Sequence, residues 1–184
     1  MYFYIVNYIM KKIVAFLLIV SLNAHSQVEK TVFDVARTGN LKEIKQIFKT
    51  NPKAILEISS EGFSPLILAI YRKNNEVAKF LINKGADVNG NSKMGTPLMA
   101  AVVKGNTEMA KLLLSKKVDV NCVDFNGTTA LIYATMFKHY EIVDELVKAG
   151  ANVEMKDNRK NGAIEYAILA NDDKLMELLK QKIK

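Results

Sequence analysis

Apolar and polar residues follow one another along this chain in a pattern that predicts pairs of short helices separated by a break. Around residues 95–121, one apolar segment starts after Thr96-Pro97 and stops at Gly105, and a second carries apolar residues at helical spacing. Thr96 is expected to cap the first helix, and proline suits the first helical position because no amide partner is needed there. Two helices this short cannot bury their own apolar faces, so the pattern predicts neighbouring copies of the unit.

Further copies appear when the chain is aligned on one position of the first helix. The aligned residues are Val35, Ala69, Ala101, Ala134 and Ala167, at steps of 34, 32, 33 and 33 residues. The break within each copy falls at Gly39, Lys73, Gly105, Lys138 and Asn171. The interior pairs of the second helices are Ile44/Ile47, Ala78/Leu81, Ala110/Leu113, Val143/Leu146 and Met176/Leu179. A period near 33 residues with two helices per unit is typical of a solenoid.

The motifs at fixed positions of these copies resemble those of the ankyrin-repeat family. First helices start with Ser64-Pro65-Leu66, Thr96-Pro97-Leu98 and Thr129-Ala130-Leu131, and the loops carry Gly85-Ala86-Asp87-Val88-Asn89 and Gly150-Ala151-Asn152-Val153. The resemblance implies an all-α solenoid of about five helix-turn-helix repeats with short hairpin-like loops. The expected repeats are residues 30–58, 59–91, 92–124, 125–157 and 158–184. It also implies a protein-binding scaffold, without naming the partner.

The chain departs from the family pattern in its first helices. The histidine that commonly follows Pro-Leu is replaced by Ile67, Met99, Ile132 and Glu165, so apolar contact is expected in place of that histidine's hydrogen bonds. The loop of residues 89–94 is one residue shorter than its neighbours, so its tip should have a different shape. The polar last repeat suits a terminal cap whose outer face meets water.

The N-terminus predicts export. Met10-Lys11-Lys12 precedes an apolar run of ten residues, 13–22, and small residues at Ala24 and Ser26, which together describe a signal peptide, residues 1–26, cleaved before a repeat domain of residues 27–184. Translation from Met10 is an alternative start, since residues 1–9 add apolar length upstream. The other alternative is an uncleaved membrane anchor, although ten apolar residues fall short of the usual span of about 20. We therefore expect a periplasmic or extracellular bacterial protein, with an envelope or stress-related role implied by exported family members, or else an N-terminally anchored one.

The charge pattern argues against nucleic acid as the partner. Loss of Lys11 and Lys12 with the signal peptide leaves 24 basic against 19 acidic groups, and these are mixed along the repeats. A nucleic-acid footprint would concentrate the basic residues in one stripe. We expect a monomer that contacts a membrane only if the N-terminal segment is retained.

Residues for catalysis or metal binding are scarce. His139 is the only histidine after Ser26, whereas nucleophilic catalysis needs a base beside the nucleophile and zinc needs several ligands. Cys122 is the only cysteine, so it is read as a loop-packing residue, with a reactive thiol as the less favoured alternative. We therefore predict no enzyme, no cofactor and no metal. An enzyme or small-molecule protein would instead require a deep polar pocket.

The resemblance implies that first helices and loop tips form a concave binding face. The family's binding positions, carried onto this chain, predict protein-binding residues at Phe63, Tyr71, Arg72, Lys104, Phe125, Asn126, Met136, Phe137 and Arg159. Aromatic and arginine side chains are the usual anchors of protein interfaces. The alternative for Phe125, Met136 and Phe137 is packing against neighbouring repeats.

Overall fold

The structure is a computed structural model that describes residues 30–92 and 95–180. The chain divides at Thr31, and the helical repeats belong to the unit that begins at Val32. The predicted signal peptide, residues 1–26, lies outside the described residues. Among the helices of the described ranges, none is both long and apolar enough to cross a membrane.

The described residues form ten α-helices, one short 3₁₀ helix and only isolated β-bridges, so the predicted all-α repeat fold is confirmed. Within each repeat the first helix packs against the second, and the first helices also pack against one another in a row. The first helices are α1 (Val32–Thr38), α3 (Pro65–Tyr71), α5 (Pro97–Val103), α7 (Ala130–Met136) and α9 (Ala163–Leu169). The second helices are α2 (Leu41–Thr50), α4 (Asn75–Asn83), α6 (Thr107–Ser115), α8 (Tyr140–Lys148) and α10 (Asp173–Lys180).

Side-chain caps fix the starts of the first helices. The hydroxyls of Ser64, Thr96 and Thr129 accept the backbone N–H three residues later, at 3.2, 3.3 and 3.2 Å. Each bond satisfies an amide that has no partner inside the helix. In α9 the Glu165 carboxylate instead accepts the backbone N–H of Gly162 at 2.9 Å. The residue that replaces the family's histidine there therefore acts as a cap.

The aligned positions of the first helices form the centre of the interior. Val35 is 1% exposed and the four alanines aligned with it are 0% exposed. Ile67, Met99 and Ile132, which replace the family's histidine, are also buried, as the apolar-contact expectation requires. Small side chains at the aligned position let neighbouring first helices approach closely, so the row stays tightly packed.

The breaks between paired helices need left-handed backbone in most repeats. Lys73, Gly105, Lys138 and Asn171 have φ values of 58°, 58°, 54° and 47°. At Gly105 a Cβ atom would lie 2.8 Å from Cε1 of His139, so this turn favours glycine for space, whereas lysine and asparagine adopt the same left-handed conformation at the other turns. The turn brings consecutive repeats into contact at the end of each first helix.

The loops between repeats differ in shape. Antiparallel bridges join Val123 with Thr129 and Lys156 with Gly162, whereas the shorter loop is closed between Ser92 and Gly95. The tip itself, residues 93 and 94, lies outside the described residues, so its expected difference in shape stays a prediction. Between the first two repeats, the 3₁₀ helix Pro52–Leu56 precedes a turn in which the Ser59 N–H donates to the Phe63 backbone oxygen at 2.9 Å, and the sequence pattern did not predict this helix.

The last repeat leaves more apolar side chains exposed to solvent than its sequence pattern predicts. Met176 was expected to be an interior residue with Leu179, but Met176 is half-buried and Leu175 is fully buried. On α9, Ile168 and Leu169 are 61% and 73% exposed, although a polar outer face was expected. The reason is positional, because no further repeat within the described residues covers this end of the stack.

Candidate functional site

The first helices of the second, third and fourth repeats line a groove of about 640 Å³. One end is formed by α1 and by the loop before α3, and the other end is formed by α7. The lining residues are Arg37, Glu61, Phe63, Ile67, Leu68, Tyr71, Arg72, Met99, Ala100, Val103, Tyr133 and Phe137.

Short side chains on α5 create the depth of this groove. One residue before the aligned alanine, Ala100 of α5 stands between Leu68 of α3 and Tyr133 of α7. Two residues after the aligned alanine, α5 has Val103 where α3 has Tyr71. Equivalent positions of parallel first helices face the same side of the stack. Ala100 and Val103 therefore form the floor of a gap between larger side chains, which we call the notch.

Hydrogen bonds hold the α7 wall of the groove in place. The Tyr133 hydroxyl donates to Oδ2 of Asp124 at 2.6 Å, and Oδ1 of this carboxylate accepts the backbone N–H groups of Asn126 and Thr128 at 2.9 Å each. Burial, together with the bond to Asp124, raises the pKa of Tyr133 to about 12, so its hydroxyl stays protonated. Phe137 stacks on Tyr133 with ring centres 6.2 Å apart. This wall is fixed before any ligand arrives.

The fifth repeat contains the same arrangement. The Tyr166 hydroxyl donates to Oδ2 of Asp157 at 2.6 Å, which raises the pKa of Tyr166. Burial opposes ionisation of Asp157, but bonds from Tyr166 and from the backbone N–H groups of Asn161 and Arg159 outweigh it and lower the pKa of the Asp157 carboxyl. The third repeat has Ala100 at the tyrosine position. The tyrosine is thus a structural clamp on the loop, and its absence from α5 opens the notch.

The α3 wall carries aromatic and cationic side chains. Tyr71 is 42% exposed, and Nζ of Lys104 lies 4.5 Å from the centre of its ring. Such a cation–π contact holds both groups without neutralising the lysine. At the N-terminal end of the groove, Arg37 pairs with Glu61 at 3.1 Å. Arg72 is exposed and has no ion pair within the described ranges.

The structure brings together about half of the predicted binding residues. Phe63, Tyr71, Arg72 and Phe137 line the groove, and Lys104 lies at its edge over Tyr71. These five side chains come from three repeats, yet they face one space. Their role in binding stays a prediction.

The other four predicted residues lie outside the groove lining. Phe125 is 68% exposed in the loop before α7, and the backbone oxygen of Asn126 accepts the backbone N–H of Asn158 at 2.9 Å. Met136 is partly exposed on α7, and Arg159 is exposed in the loop before α9. Phe125 therefore does not pack into a neighbouring repeat. Phe137 packs one side of its ring on Tyr133, and part of the ring is exposed to solvent.

Sequence reasoning missed the residues that shape the groove. Leu68, Ala100 and Tyr133 occupy the position immediately before the aligned alanine, which the family-based prediction did not use. The aligned sequence could have indicated the groove, because at this position the small Ala100 lies between the larger Leu68 and Tyr133 of the neighbouring repeats. Arg37 was missed because the prediction began at the second repeat.

The groups that could support chemistry are not activated. Burial, together with a hydrogen bond to Asp119, raises the pKa of the Cys122 thiol, which keeps it protonated and weakly nucleophilic. Burial, then the charge of Lys73, lowers the pKa of His139. In the part of the chain that the structure describes, no three His, Cys, Asp or Glu side chains form a group suited to a metal ion.

A stack of paired helices with one apolar, partly cationic groove defines a binding scaffold. A family model for ankyrin repeats in three copies matches residues 3–92, 32–124, 86–157 and 118–184. The chain therefore belongs to the ankyrin-repeat family, as its motifs indicated. Ankyrin repeats imply a scaffold for protein–protein interaction and are typically non-enzymatic, and the matched family is not a catalytic one.

Similar proteins match the chain over a small part of their own length. Ankyrin repeat and SAM domain-containing protein 6 of Rattus norvegicus is 30% identical over 141 residues, or 77% of the chain and 12% of that protein. Its Mus musculus counterpart is 29% identical over 141 residues, which again is 77% of the chain and 12% of that protein. The nuclear factor NF-kappa-B p105 subunit of Gallus gallus is 41% identical over 51 residues, or 28% of the chain and 5% of that protein. The chain thus spans about an eighth or less of each relative.

Proposed function

We propose that this protein is an exported scaffold that binds a partner protein through the groove of α3, α5 and α7. The observation that carries the proposal is the exposure of two aromatic side chains, Tyr71 at 42% and Phe137 at 47%, beside the notch. Large aromatic side chains at the edge of a pocket are the usual centres of binding energy in protein interfaces. Burying both against a partner would remove apolar surface from water.

The walls of the groove favour rigid-body binding. Tyr133 is held by Asp124, and the ring of Phe137 lies parallel to it within 5°. Tyr71 lies under Lys104. A site whose side chains are already ordered loses little conformational freedom when a partner binds. The partner can therefore be recognised without reshaping the stack.

Export is supported by the basic start, the apolar run and the small residues of positions 10–26. The second candidate is an adaptor tethered to a membrane by an uncleaved N-terminal segment, which the extra apolar residues at positions 1–9 favour. The mass of the protein recovered from fractionated cells separates the two. A soluble extracytoplasmic form lacking the first 26 residues supports the exported scaffold, whereas a full-length membrane form supports the tether. Cytoplasmic accumulation of the full chain contradicts both.

The binding proposal is tested by capture from the extracytoplasmic fraction, with residues 27–184 as bait and mass spectrometry as readout. The wild type is compared with the double variant Tyr71→Ser/Phe137→Ser. We expect a specific protein to be captured by the wild type and lost with the double variant. Equal capture by both would place the interaction elsewhere on the stack.

Two controls keep this experiment interpretable. Ile58→Ser changes an apolar side chain that is 62% exposed outside the groove, so it should leave capture unchanged. Circular dichroism and the melting temperature show whether the double variant remains folded. If the double variant unfolds, Tyr71 and Phe137 belong to the core, which contradicts their assignment as binding residues.

A further inference from the structure

We infer that the groove binds an extended, acidic segment of the partner, with one large apolar side chain seated in the notch. This inference rests on the proposed function and gives the chemistry of the partner. It follows from two separate features of the site, namely the charges along the groove edge and the shape of its floor.

The groove edge carries cations that the protein itself does not neutralise. Arg72 and Lys104 follow the ends of α3 and α5 beside the groove, and neither forms an ion pair within residues 30–92 and 95–180. The nearby Glu61 is already paired with Arg37 at 3.1 Å. Positive charge without an acidic partner among the described residues therefore borders the notch.

Two lysines of the central second helices, α4 and α6, provide the contrasting case. Lys79 pairs with Glu108 at 2.6 Å and Lys111 pairs with Glu141 at 2.7 Å, each bond joining adjacent repeats. Lys79 and Lys111 thus have acidic partners in the next repeat, whereas Arg72 and Lys104 beside the groove have none within the described residues. No carboxylate of the described residues pairs with Arg72 or Lys104, which favours acidic residues in the partner.

The notch adds an apolar requirement. Its floor is formed by Ala100 and Val103, with Tyr71 on one side and the stacked pair Tyr133–Phe137 on the other. A side chain inserted here would contact aliphatic and aromatic surface on three sides. The groove continues from α1 to α7 across four first helices, so the segment that follows it is extended.

This combination favours a protein segment over a nucleic acid or an anionic membrane. Phosphate-rich ligands are bound by many cations spread along a surface. Here two free cations, Arg72 and Lys104, border an apolar gap that a phosphate backbone would leave unfilled. An acidic peptide with one large apolar residue satisfies both parts of the site.

Fluorescence anisotropy with four labelled nonapeptides tests the inference, using protein purified from cells that express the full-length chain. The probe has one phenylalanine flanked on each side by acidic residues. In the three comparison peptides, the phenylalanine is replaced by glycine, the acids by serine, or the acids by lysine. We expect the probe to bind at least about tenfold more tightly than each comparison peptide, and binding to weaken as salt is raised.

Variants of the protein locate the binding. Arg72→Glu/Lys104→Glu should weaken probe binding by at least about tenfold. Val103→Tyr should do the same by filling the notch, and it should fold because α3 already has Tyr71 at this position. Lys45→Glu makes the same charge change on an exposed position of α2 and should have no effect on binding. The melting temperature of each variant verifies its fold.

Several outcomes would overturn the inference. These are failure of the probe to bind, equal or tighter binding of the serine or lysine peptide, and unchanged binding by folded Val103→Tyr. Tighter binding of a single-stranded oligonucleotide or of vesicles with anionic lipid would favour the phosphate-rich ligands instead. Capture of a partner that depends on Tyr71 and Phe137, combined with no preference for the acidic probe, would leave the proposed function standing and refute only the acidic segment.

Discussion

Lysines on the second helices and lysines beside the groove have different neighbours, although both sets lie on the surface of one stack. On the second helices, Lys79 contacts Glu108 and Lys111 contacts Glu141 of the next repeat. Beside the groove, Lys104 contacts only an aromatic ring, and Arg72 has no ion pair in the described part of the chain. The two sides therefore share a scaffold but not an electrostatic arrangement.

The difference separates residues that hold the stack together from residues that remain available to a partner. Exposed ion pairs contribute little to stability individually, but a series of them between repeats favours the observed register. Free cations beside exposed aromatic side chains contribute nothing comparable to folding. Variants on the two sides should accordingly have different effects on stability and on binding.

The largest expected effect on stability comes from the interior that both sides share. Ala101 is 0% exposed in the middle of the first-helix row. Ala101→Leu adds atoms where no space exists, so it should lower the free energy of unfolding by about 1–3 kcal/mol. Chemical denaturation measures this loss. An unchanged midpoint would contradict the close packing of α5 between α3 and α7.

The clamps of the fourth and fifth repeats allow a matched test of the groove wall. Tyr133→Phe removes the bond to Asp124 and should cost about 1–2 kcal/mol of stability, because a hydrogen bond to a carboxylate is lost. It should also weaken binding of the acidic probe, since the wall that supports Phe137 loosens. Tyr166→Phe removes the equivalent bond to Asp157 and should destabilise the protein without changing probe binding. Equal weakening by both variants would contradict a local role for Tyr133.

Charge reversal on the two sides should separate their roles directly. Lys79→Glu breaks the ion pairs with Glu76 and Glu108 and places a third acidic side chain beside these two. The melting temperature should therefore fall. The decrease should become smaller as the salt concentration is raised, because salt screens the repulsion. Arg72→Glu breaks no pair within the described residues, so the melting temperature should stay nearly unchanged while probe binding drops. The reverse result would mean that the groove edge stabilises the fold and the second-helix pairs do not.

The smallest expected effect is a pH dependence at His139, which contacts Phe137 at the end of the groove with ring centres 6.0 Å apart. Burial, then the charge of Lys73, lowers its pKa below the ordinary value of 6.5. The folded state therefore binds this proton less readily than the unfolded chain does. Stability should be full above about pH 6.5 and should decline as pH falls through the lower folded-state pKa.

A substitution assigns this pH dependence to one residue. Asn74 and Asn106 occupy the position of His139 in earlier repeats, so His139→Asn introduces a residue that the stack already accepts. Thermal melts at a series of pH values between 7.5 and 5 should show a decline for the wild type and a flatter profile for the variant. Identical profiles would assign the decline to other groups.

Much of the fold followed from local sequence features. Ser64, Thr96 and Thr129 mark helix starts because a hydroxyl cap acts within one turn of helix. The alanine spacing identified the interior because every repeat must bury the same position against its neighbours. The 3₁₀ helix Pro52–Leu56 was missed, since proline signals the end of α2 but not the structure that follows.

The candidate site was only partly accessible to such reasoning. Phe63, Tyr71, Arg72 and Phe137 were found because the family's binding positions can be matched one residue at a time. The notch was missed because it depends on a small residue, Ala100, whose importance comes from what stands beside it. A rule that seeks large anchors within each repeat does not detect a gap between repeats.

The sequence by itself determined the repeat unit, the helix starts and the buried positions, because these depend on capping, periodicity and side-chain size within about 33 residues. Only the tertiary structure decided which charges meet and where the surface is hollow. Lys79 and Glu108 pair because stacking brings adjacent second helices together, while Arg72 and Lys104 have no carboxylate partner among the described residues. Pairing and cavity shape depend on distances between repeats, which residue spacing along the chain does not specify.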